Sequence, residues 1–449
     1  MRLSLLEILE ATGGGEVGGT QVGETFSTFH TDSREVQQGG VFFALRGQEM
    51  DGSGFIGDAV ARGAAAVVVE RRTDVAAGVV EVVVPDTWTA LYALASHALR
   101  RVQPLVIAVT GSNGKTSTKE MVAAILSRHF NVLSTQGNLN TETGVPLTIL
   151  GLEPHHSALV LEMGMQRPGD IGRLAALARP VIGIVTNVGI VHIEFFNSRE
   201  ELARAKGELV AALPEAGLAV LNADNEFYPM LVQMTSARVA GFGIEAGDFR
   251  VEGYETLSDG GSRFTVRGVE VRLRMDGRHQ ALNAAAALAA CDFAGVPVEA
   301  GAEALADVVV EHRLQEVQAA AGFTVIDDAY NASPESMLAA FDAVAEAAAR
   351  VPRRGRLLAV LGEMRELGTL SEESHRRIGQ RAAEVFDAVC VVDGERARIM
   401  AQAAGAELVP DREGAAGWVR RNATEGDRVL VKGSHGVRLD ELVKELTAG

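Results

Sequence analysis

The chain carries only two cysteines in 449 residues, Cys291 and Cys390, far apart and in largely apolar surroundings. That spacing excludes a disulfide framework and suggests no zinc site. Positive charge is also short: 42 Lys and Arg stand against 59 Asp and Glu, a formal net charge of −17. A general nucleic-acid binder is thereby excluded, and any anionic partner has to be held by local donors against the overall field. Lysine is the scarcest cation, with five, Lys115, Lys119, Lys206, Lys432 and Lys444, in a chain that otherwise uses arginine. Positions that keep lysine are candidates for a compact ammonium or a free primary amine, which a guanidinium cannot supply. No run approaches the ~20 apolar residues of a membrane span. The opening "MRLSLLEILEATGGG" carries Glu7 inside its apolar stretch and lacks a small-residue cleavage site. It reads as a short amphipathic helix and not as a signal peptide, so a cytoplasmic protein is expected. There are no repeats, and no low-complexity segments beyond alanine-rich helices.

What is present is a globular chain, 47% apolar, long enough for about three domains by the ~150-residue prior. The expected architecture is α/β throughout. A small N-terminal α/β domain covers 1–84, a central parallel-sheet, P-loop ATPase-like domain 85–313, and a C-terminal Rossmann-like α/β domain 314–449. In the first, "GGVFFALRG", "AAVVVE" and "VVEVVVPD" alternate with helical stretches, and "TWTALYALASHALRRV" is a helix crossing into the second. In the second, "LVIAVT", "SALVLEMG", "VIGIVTNVG" and "EAGLAVLNADN" are apolar strands separated by helices, the pattern of a parallel sheet. "EGYETLSDGGSRFTVRGVEVRLRM" alternates apolar and polar residues as a half-solvated antiparallel sheet does. From Gly322, "FTVIDD", "RLLAVLGEM", "DAVCVVDG" and "DRVLVKG" begin a second α/β series.

The stretch that carries chemistry is "AVTGSNGKTSTKEM", where a strand meets a helix. The usual phosphate-binding loop has four residues between its first glycine and the Gly-Lys-Ser/Thr end. Here Gly111 is followed by only Ser112 and Asn113 before Gly114, Lys115, Thr116 and Ser117. The glycines let successive backbone N–H groups point at phosphate oxygens, Lys115 would add a point charge and the Thr116 hydroxyl would face a magnesium ion. In an open parallel sheet, ligands sit at the carboxyl ends of strands. Glu162 ends "ALVLE" and His192 lies just beyond "IGIVTN", so both fall on the edge of the loop. Magnesium takes mostly oxygen ligands, and on the residues alone His192 stands between ligand and structural residue. In "NSREELARAKGELV", Ser198 and Glu201 form a capping box that starts a helix near Arg199. Spacing alone favours Lys206 as a surface lysine paired with Glu201 or Glu208. A free amine near metal could instead take up CO2 and become an anionic carbamate.

"TGSNGKTSTKEM", "GNLNTETGVPLTIL", "VLEMGMQRPGDI", "TNVGIVHIEFF", "ARAKGEL", "LNADN", "HQALNAAAA", "HRLQEV", "IDDAYNASPESM", "VLGEMRELG" and "LVKGSHGVRLDELV" occur in this order. Together they resemble the Mur ligase family, ATP-dependent amide ligases of cell-wall precursor synthesis, whose loop is of the shortened TGxxGKT/S kind. "DDAYNASPESM", "GEMRELG" and "TDSREVQQGGVFFALRGQEMDG" are most similar to the members that join D-alanyl-D-alanine to UDP-N-acetylmuramoyl-tripeptide. The resemblance implies ATP and two magnesium ions as cofactors. It implies Gly111, Ser112, Asn113, Gly114, Lys115, Thr116 and Ser117 as the ATP loop, with Thr116 on one magnesium. Glu162, His192 and Lys206 would hold the second, Lys206 as a carbamate, and with Lys115 they form the implied catalytic set. Asn283 would contact adenine, and Arg313 and Asp328 the nucleotide from the C-terminal side. Ser33 and Arg34 lie in the segment that grips the uridine end, Asn138 in the segment facing the muramoyl substrate, and Asn331 joins this substrate-binding set. No nucleic acid or membrane span is implied, and a monomer is the family expectation. Glu142-Thr143 and Ser53-Gly54 depart from the family pattern and bear on sugar-peptide contacts.

Some C-terminal residues have plainer readings. Asp327 and Asp328 are also ordinary strand-end residues, Tyr330 a packing aromatic, and Asn331 with Pro334 a turn into a helix. Lys432 ends another strand, where its charge could reach a nucleotide or a peptide carboxylate, or simply close a turn. The expected reaction is activation of a carboxylate as an acyl phosphate, followed by attack of an amine. A ligase adding the third amino acid, a folylpolyglutamate synthase-like ligase and a nucleotide-dependent switch are the rival readings.

Overall fold

The computed structural model describes residues 1–16, 25–47, 50–73, 78–257, 260–310, 312–350 and 355–448. Its centre is built from apolar runs that do not alternate. Every residue of Ala158–Glu162 and Ile182–Val185 is buried, as expected of parallel strands covered on both faces. Side chains alternate across a strand, and the two central cores divide accordingly. Leu159 and Leu161 join one core, while Ala158 and Val160 join the other.

Along the central nine-stranded sheet the order is Val269–Leu273, Ser262–Val266, Phe249–Thr256, Arg238–Gly243, Leu218–Asn222, Ile182–Val185, Leu105–Thr110, Ala158–Glu162 and Val132–Ser134. Pairing is parallel from Phe249–Thr256 onward to Val132–Ser134, and antiparallel among the first three. The half-solvated stretch read from alternation is thus the sheet's antiparallel end. Helix Lys115–Leu126 packs against helix Arg278–Phe293. In the latter, Ala284 through Ala287 are fully buried. The single methyl of alanine there lets the two helices approach closely.

A second sheet of six strands runs Gln315–Gln318, Thr324–Asp327, Arg428–Lys432, Leu357–Leu361, Ala388–Val392 and Glu407–Val409. All pairs are parallel except the first. It has separate cores on its two faces, one around Met337, Phe341 and Leu361, the other around Val325, Trp418 and Val429. A five-stranded sheet, Gly15–Glu16, Val80–Val83, Ala66–Val69, Val41–Phe43 and Phe29–His30, lies at the N-terminal end. The parallel and mixed sheets with covering helices make the chain an α/β protein.

The N-terminal sheet is not walled off from the centre. Met1, Leu3, Val41 and Val82 share one apolar cluster with Leu91, Leu94, Leu159 and Leu161. Helix Thr87–Val102 is the bridge. Asp86 caps it by accepting from the Thr89 amide at 2.6 Å. The opening segment is a helix, Leu5–Thr12, with a capping box between Ser4 and Glu7. Glu7 also pairs with Arg101 at 2.5 Å, so a charge within that apolar stretch pins it to the bridging helix. The other expected box is half formed. Ser198 accepts from the Glu201 amide, but the Glu201 carboxylate takes the Asn197 N–H groups instead. Among the described residues no helix is long and apolar enough to cross a membrane. Both cysteines are free and buried; burial pushes the Cys390 thiol up to about 12 and Cys291 higher still.

Leu94 is fully buried within the bridging helix. Leu94→Ala is expected to cost about 2–5 kcal/mol, the range for emptying a packed leucine site. A urea titration reads it, and a loss under about 1 kcal/mol would mean this core is not close-packed.

Candidate functional site

Strand Leu105–Thr110 delivers the chain into the loop at Gly111, where φ is +147°. A β-carbon on Gly111 would lie 1.9 Å from the Thr186 hydroxyl, and one on Gly114, at φ +80°, 2.4 Å from Asn283 Oδ1. Glycine is required at both places, because the loop is wedged between the next strand and helix Arg278–Phe293. Further bonds hold the wedge. The Ser112 amide donates to Asn187 O at 3.0 Å and the Asn113 amide to Asn187 Oδ1 at 2.8 Å. Thr186 Oγ1 donates to Asn113 O at 2.6 Å, and the Gly189 amide donates to Ser112 Oγ at 2.9 Å. Helix Lys115–Leu126 starts with no side-chain cap. Its first-turn amides and the positive end of its dipole therefore face whatever enters the loop, and that favours an anion. Lys115 curls back over the loop, donating to Gly111 O at 3.0 Å and Ser112 O at 3.3 Å.

Glu162 ends its strand beside this loop. Its amide donates to Thr135 Oγ1 at 3.0 Å, and Asn140 Nδ2 donates to Oε1 at 2.7 Å. The other carboxylate oxygen, Oε2, is buried with no partner. An unpaired buried carboxylate oxygen is costly, and a cation would satisfy it. Lys119, fully buried, donates to Thr135 O at 2.7 Å and so fixes the residue that orients Glu162. His192 sits past strand Ile182–Val185 in the left-handed region, φ +66°, and its Nδ1 pairs with Glu366. That contact holds the Glu366 carboxyl below the usual carboxylate range.

Lys206 contradicts the spacing-based reading of a surface lysine. It is 1% exposed, in helix Arg199–Ala211, and pairs with neither glutamate. Glu208 accepts instead from the Gly169 and Gly172 amides, both at 2.8 Å, while Glu201 is occupied by Asn197. Burial first, and then the nearby Lys115 charge, push the Lys206 amine well below the ordinary lysine range. Burial likewise lowers Lys115, opposed by Glu162.

Across the loop, Asn283 Nδ2 donates to Gln280 at 3.0 Å, and burial takes His279 down to about 4. Arg313 lies over the Tyr330 ring at 4.3 Å. Lys432 closes no simple turn. It is 1% exposed, donates to Asp328 Oδ2 at 2.6 Å and to Asn331 O at 3.0 Å, so a buried ion pair ties two strand ends together. Asn331 and Pro334 do lead into a helix, Pro334–Arg350. Asp327 pairs with His312 at 2.6 Å, and burial raises its carboxyl.

These groups open onto one cavity of about 2090 Å³. That exceeds the ~300–1,000 Å³ of ordinary small-molecule sites and can hold an elongated substrate beside a nucleotide. Ser112 through Ser117, Glu162, His192, Asn283, Arg313, Asp328 and Asn331 line it, as do Ser33 and Arg34 of the N-terminal segment. Arg34 is exposed and forked onto Asp32, with bonds of 2.9 and 2.6 Å. Gly111, Lys206 and Asn138 are not on the wall. Gly111 lies behind it against Thr186, Lys206 is felt through Lys115, and Asn138 is exposed. Asn140, two residues on, makes the Glu162 contact that sequence reasoning assigned to no residue. No group of three or more His, Cys, Asp or Glu able to hold a metal occurs among the described residues. Any divalent site here therefore needs hydroxyl or phosphate oxygens, or a modified lysine, beside Glu162 and His192.

Three family models match: Mur ligase family, catalytic domain, over residues 26–129; Mur ligase middle domain over 109–291; and Mur ligase, glutamate ligase domain, over 312–435. UDP-N-acetylmuramoyl-tripeptide–D-alanyl-D-alanine ligase of Bacillus subtilis is 35% identical over 429 residues, covering 93% of this chain and 92% of its own. MurF from Acinetobacter baumannii superposes with a TM-score of 0.89 at 30% identity, covering 100% of this chain and 99% of its own. MurF from Thermotoga maritima, solved in complex with ADP, gives a TM-score of 0.81 at 32% identity, over 94% of this chain and 97% of its own.

With five lysines in the chain, labelling the lysine side chains with 13C gives five resolvable signals, and Lys206→Met identifies one of them. The Lys206 signal is expected to titrate well below the usual 10.5. A transition at the ordinary position would show the amine to be solvated.

Proposed function

The chain belongs to the Mur ligase family, and from that membership and the site we infer that it joins D-alanyl-D-alanine to UDP-N-acetylmuramoyl-tripeptide at the expense of ATP. The observation that carries the reading is the shortened glycine loop opening onto a cavity large enough in volume for nucleotide and peptide together. A carboxylate is a poor electrophile, because its carbonyl carbon is already electron-rich. Transfer of the γ-phosphoryl group from ATP converts the peptide carboxylate to an acyl phosphate and releases ADP. The D-alanyl-D-alanine amine then attacks the acyl carbon, an amide bond forms and phosphate leaves with the C–O bonding pair. Phosphoryl transfer of this kind depends on positioning and charge neutralisation. The loop amides and Lys115 supply both, with Asn283 at the adenine and Arg313 and Asp328 closing on the nucleotide from the C-terminal side.

The donor set fits magnesium. Thr116 would hold one ion, and Glu162, with its unpartnered Oε2, His192 and Lys206 the other. Two magnesium ions, when bound, neutralise phosphate charge. A buried lysine amine held below its ordinary range is uncharged more of the time, and only the uncharged form adds CO2, losing a proton to give an anionic carbamate. We assign 1–84 to the uridine end of the substrate, with Ser33 and Arg34 near it and Asn138 on the muramoyl side. Residues 85–313 take ATP, and 314–449, with Asn331, the dipeptide. The enzyme works as a cytoplasmic monomer.

A coupled ADP-release assay with UDP-N-acetylmuramoyl-tripeptide decides the reading. Release is expected to depend on D-alanyl-D-alanine and not on single amino acids or glutamyl acceptors. Dipeptide-indifferent hydrolysis would refute the ligase assignment. In the same assay Lys115→Ala is expected to lower turnover by about 10²-fold or more, as for loss of one transition-state donor. Near-normal turnover would remove Lys115 from the mechanism.

A further inference from the structure

The loop that follows strand Ile182–Val185 touches more than the phosphate loop. Two carboxylates from the C-terminal sheet and its helices reach across to it. Glu335 Oε1 accepts from the Ile190 amide at 2.9 Å, and Glu335 lies so close over Gly189 that a β-carbon there would be 2.7 Å from it. Glu366 pairs with His192 Nδ1. The two bodies also meet at Ser333, whose hydroxyl donates to Asn113 Oδ1 at 3.0 Å, and at Gly368, where a β-carbon would sit 3.1 Å from that of Glu194. Both partners of the Glu366–His192 pair are non-glycine residues with left-handed backbones, φ +61° and +66°. The surrounding contacts hold both residues in this sparsely populated conformation, as is typical of functional sites.

We propose that Glu366 is a positioning residue that orients the His192 ring for a divalent cation only when the C-terminal body is docked. The inference rests on the reading of His192 as a cation ligand given above. The Glu366 carboxylate lies against Nδ1 as a charge contact without hydrogen-bond geometry; a negative charge there favours the proton on that nitrogen and leaves the Nε2 lone pair free for metal. The carboxylate comes from a different sheet than the ring does. Undocking therefore leaves the imidazole free to rotate and exchange tautomers, and weakens the cation site. Glu335 grips the backbone of the same loop, so docking orders both its course and its side chain. Cation binding and docking favour one another for the same reason. A cation that prefers the oriented ring binds the docked form better, and linkage makes the preference mutual.

The test uses the full chain with ADP and with Mn2+ as the metal probe, free Mn2+ being read by electron paramagnetic resonance. Glu366→Ala is expected to weaken Mn2+ binding by about 10-fold or more, the usual effect of removing a carboxylate behind a metal-bound histidine. The magnesium concentration for half-maximal activity rises in parallel, with a smaller change in kcat at saturation. Glu366→Gln, which is isosteric and keeps an acceptor, weakens binding less but in the same direction. His192→Ala combined with Glu366→Ala is expected to be no worse than His192→Ala alone, because the two act through one ring. Unchanged Mn2+ affinity in both Glu366 variants, with a loss in His192→Ala, would overturn this inference and leave the cation site standing. No loss in His192→Ala either would overturn both. Additive losses in the double variant would show that Glu366 acts elsewhere.

Discussion

A hydroxyl 1.9 Å from where a β-carbon on Gly111 would stand is the constraint from which the site follows. Thr186 can close on the phosphate loop only because that position is bare. Once it closes, the loop after strand Ile182–Val185 becomes a wall of the phosphate site. Asn187 and Gly189 then bond the phosphate loop directly, and the same segment carries His192 toward Glu366. The shortened loop is therefore not a lax version of a longer one. Two residues fewer leave a turn that its neighbour can hold by its backbone.

The lysines show the second principle. Of five, Lys119, Lys206 and Lys432 are all but completely buried and Lys115 is partly so within the cavity. Only Lys444 stands mostly in solvent. Elsewhere the chain uses arginine, which stays charged and tolerates exposure. Inside, an amine can be paired, as Lys432 is with Asp328, or can give up its charge, as Lys206 tends to. An overall acidic protein thus keeps two of its five lysines, Lys115 and Lys432, on the wall of the cavity.

The parts of this site legible from sequence are the local ones. Glycine spacing, a strand before and a helix after identified the loop, and strand ends placed Glu162 and His192 beside it. Nearness in sequence makes Lys206 look like a surface lysine beside Glu201 and Glu208, but these stand five residues before it and two after, off its helical face. Their carboxylates are taken by Asn197, Gly169 and Gly172, contacts that sequence spacing does not display. The Lys432–Asp328 pair was hidden for a topological reason. Strand Arg428–Lys432 inserts between Thr324–Asp327 and Leu357–Leu361. Two strand ends distant in sequence become neighbours only through that insertion. Asn140 was missed beside Asn138 because a one- or two-residue choice within a polar loop is not set by any period. The α/β architecture itself, with the antiparallel end of the central sheet, is readable from the change between continuous and alternating apolar runs.

The shared apolar cluster under helix Thr87–Val102 has a mechanical meaning. Close-packed continuity from Met1 through Leu94 to Leu161 resists shear between the first sheet and the second. The third sheet carries its own cores, and it joins the second through a stretch where His312 and Leu314 both adopt left-handed backbones. Load applied to the first sheet is thus carried straight into the second, whereas the third meets them through side-chain contacts such as Glu335 to Ile190 and Ser333 to Asn113.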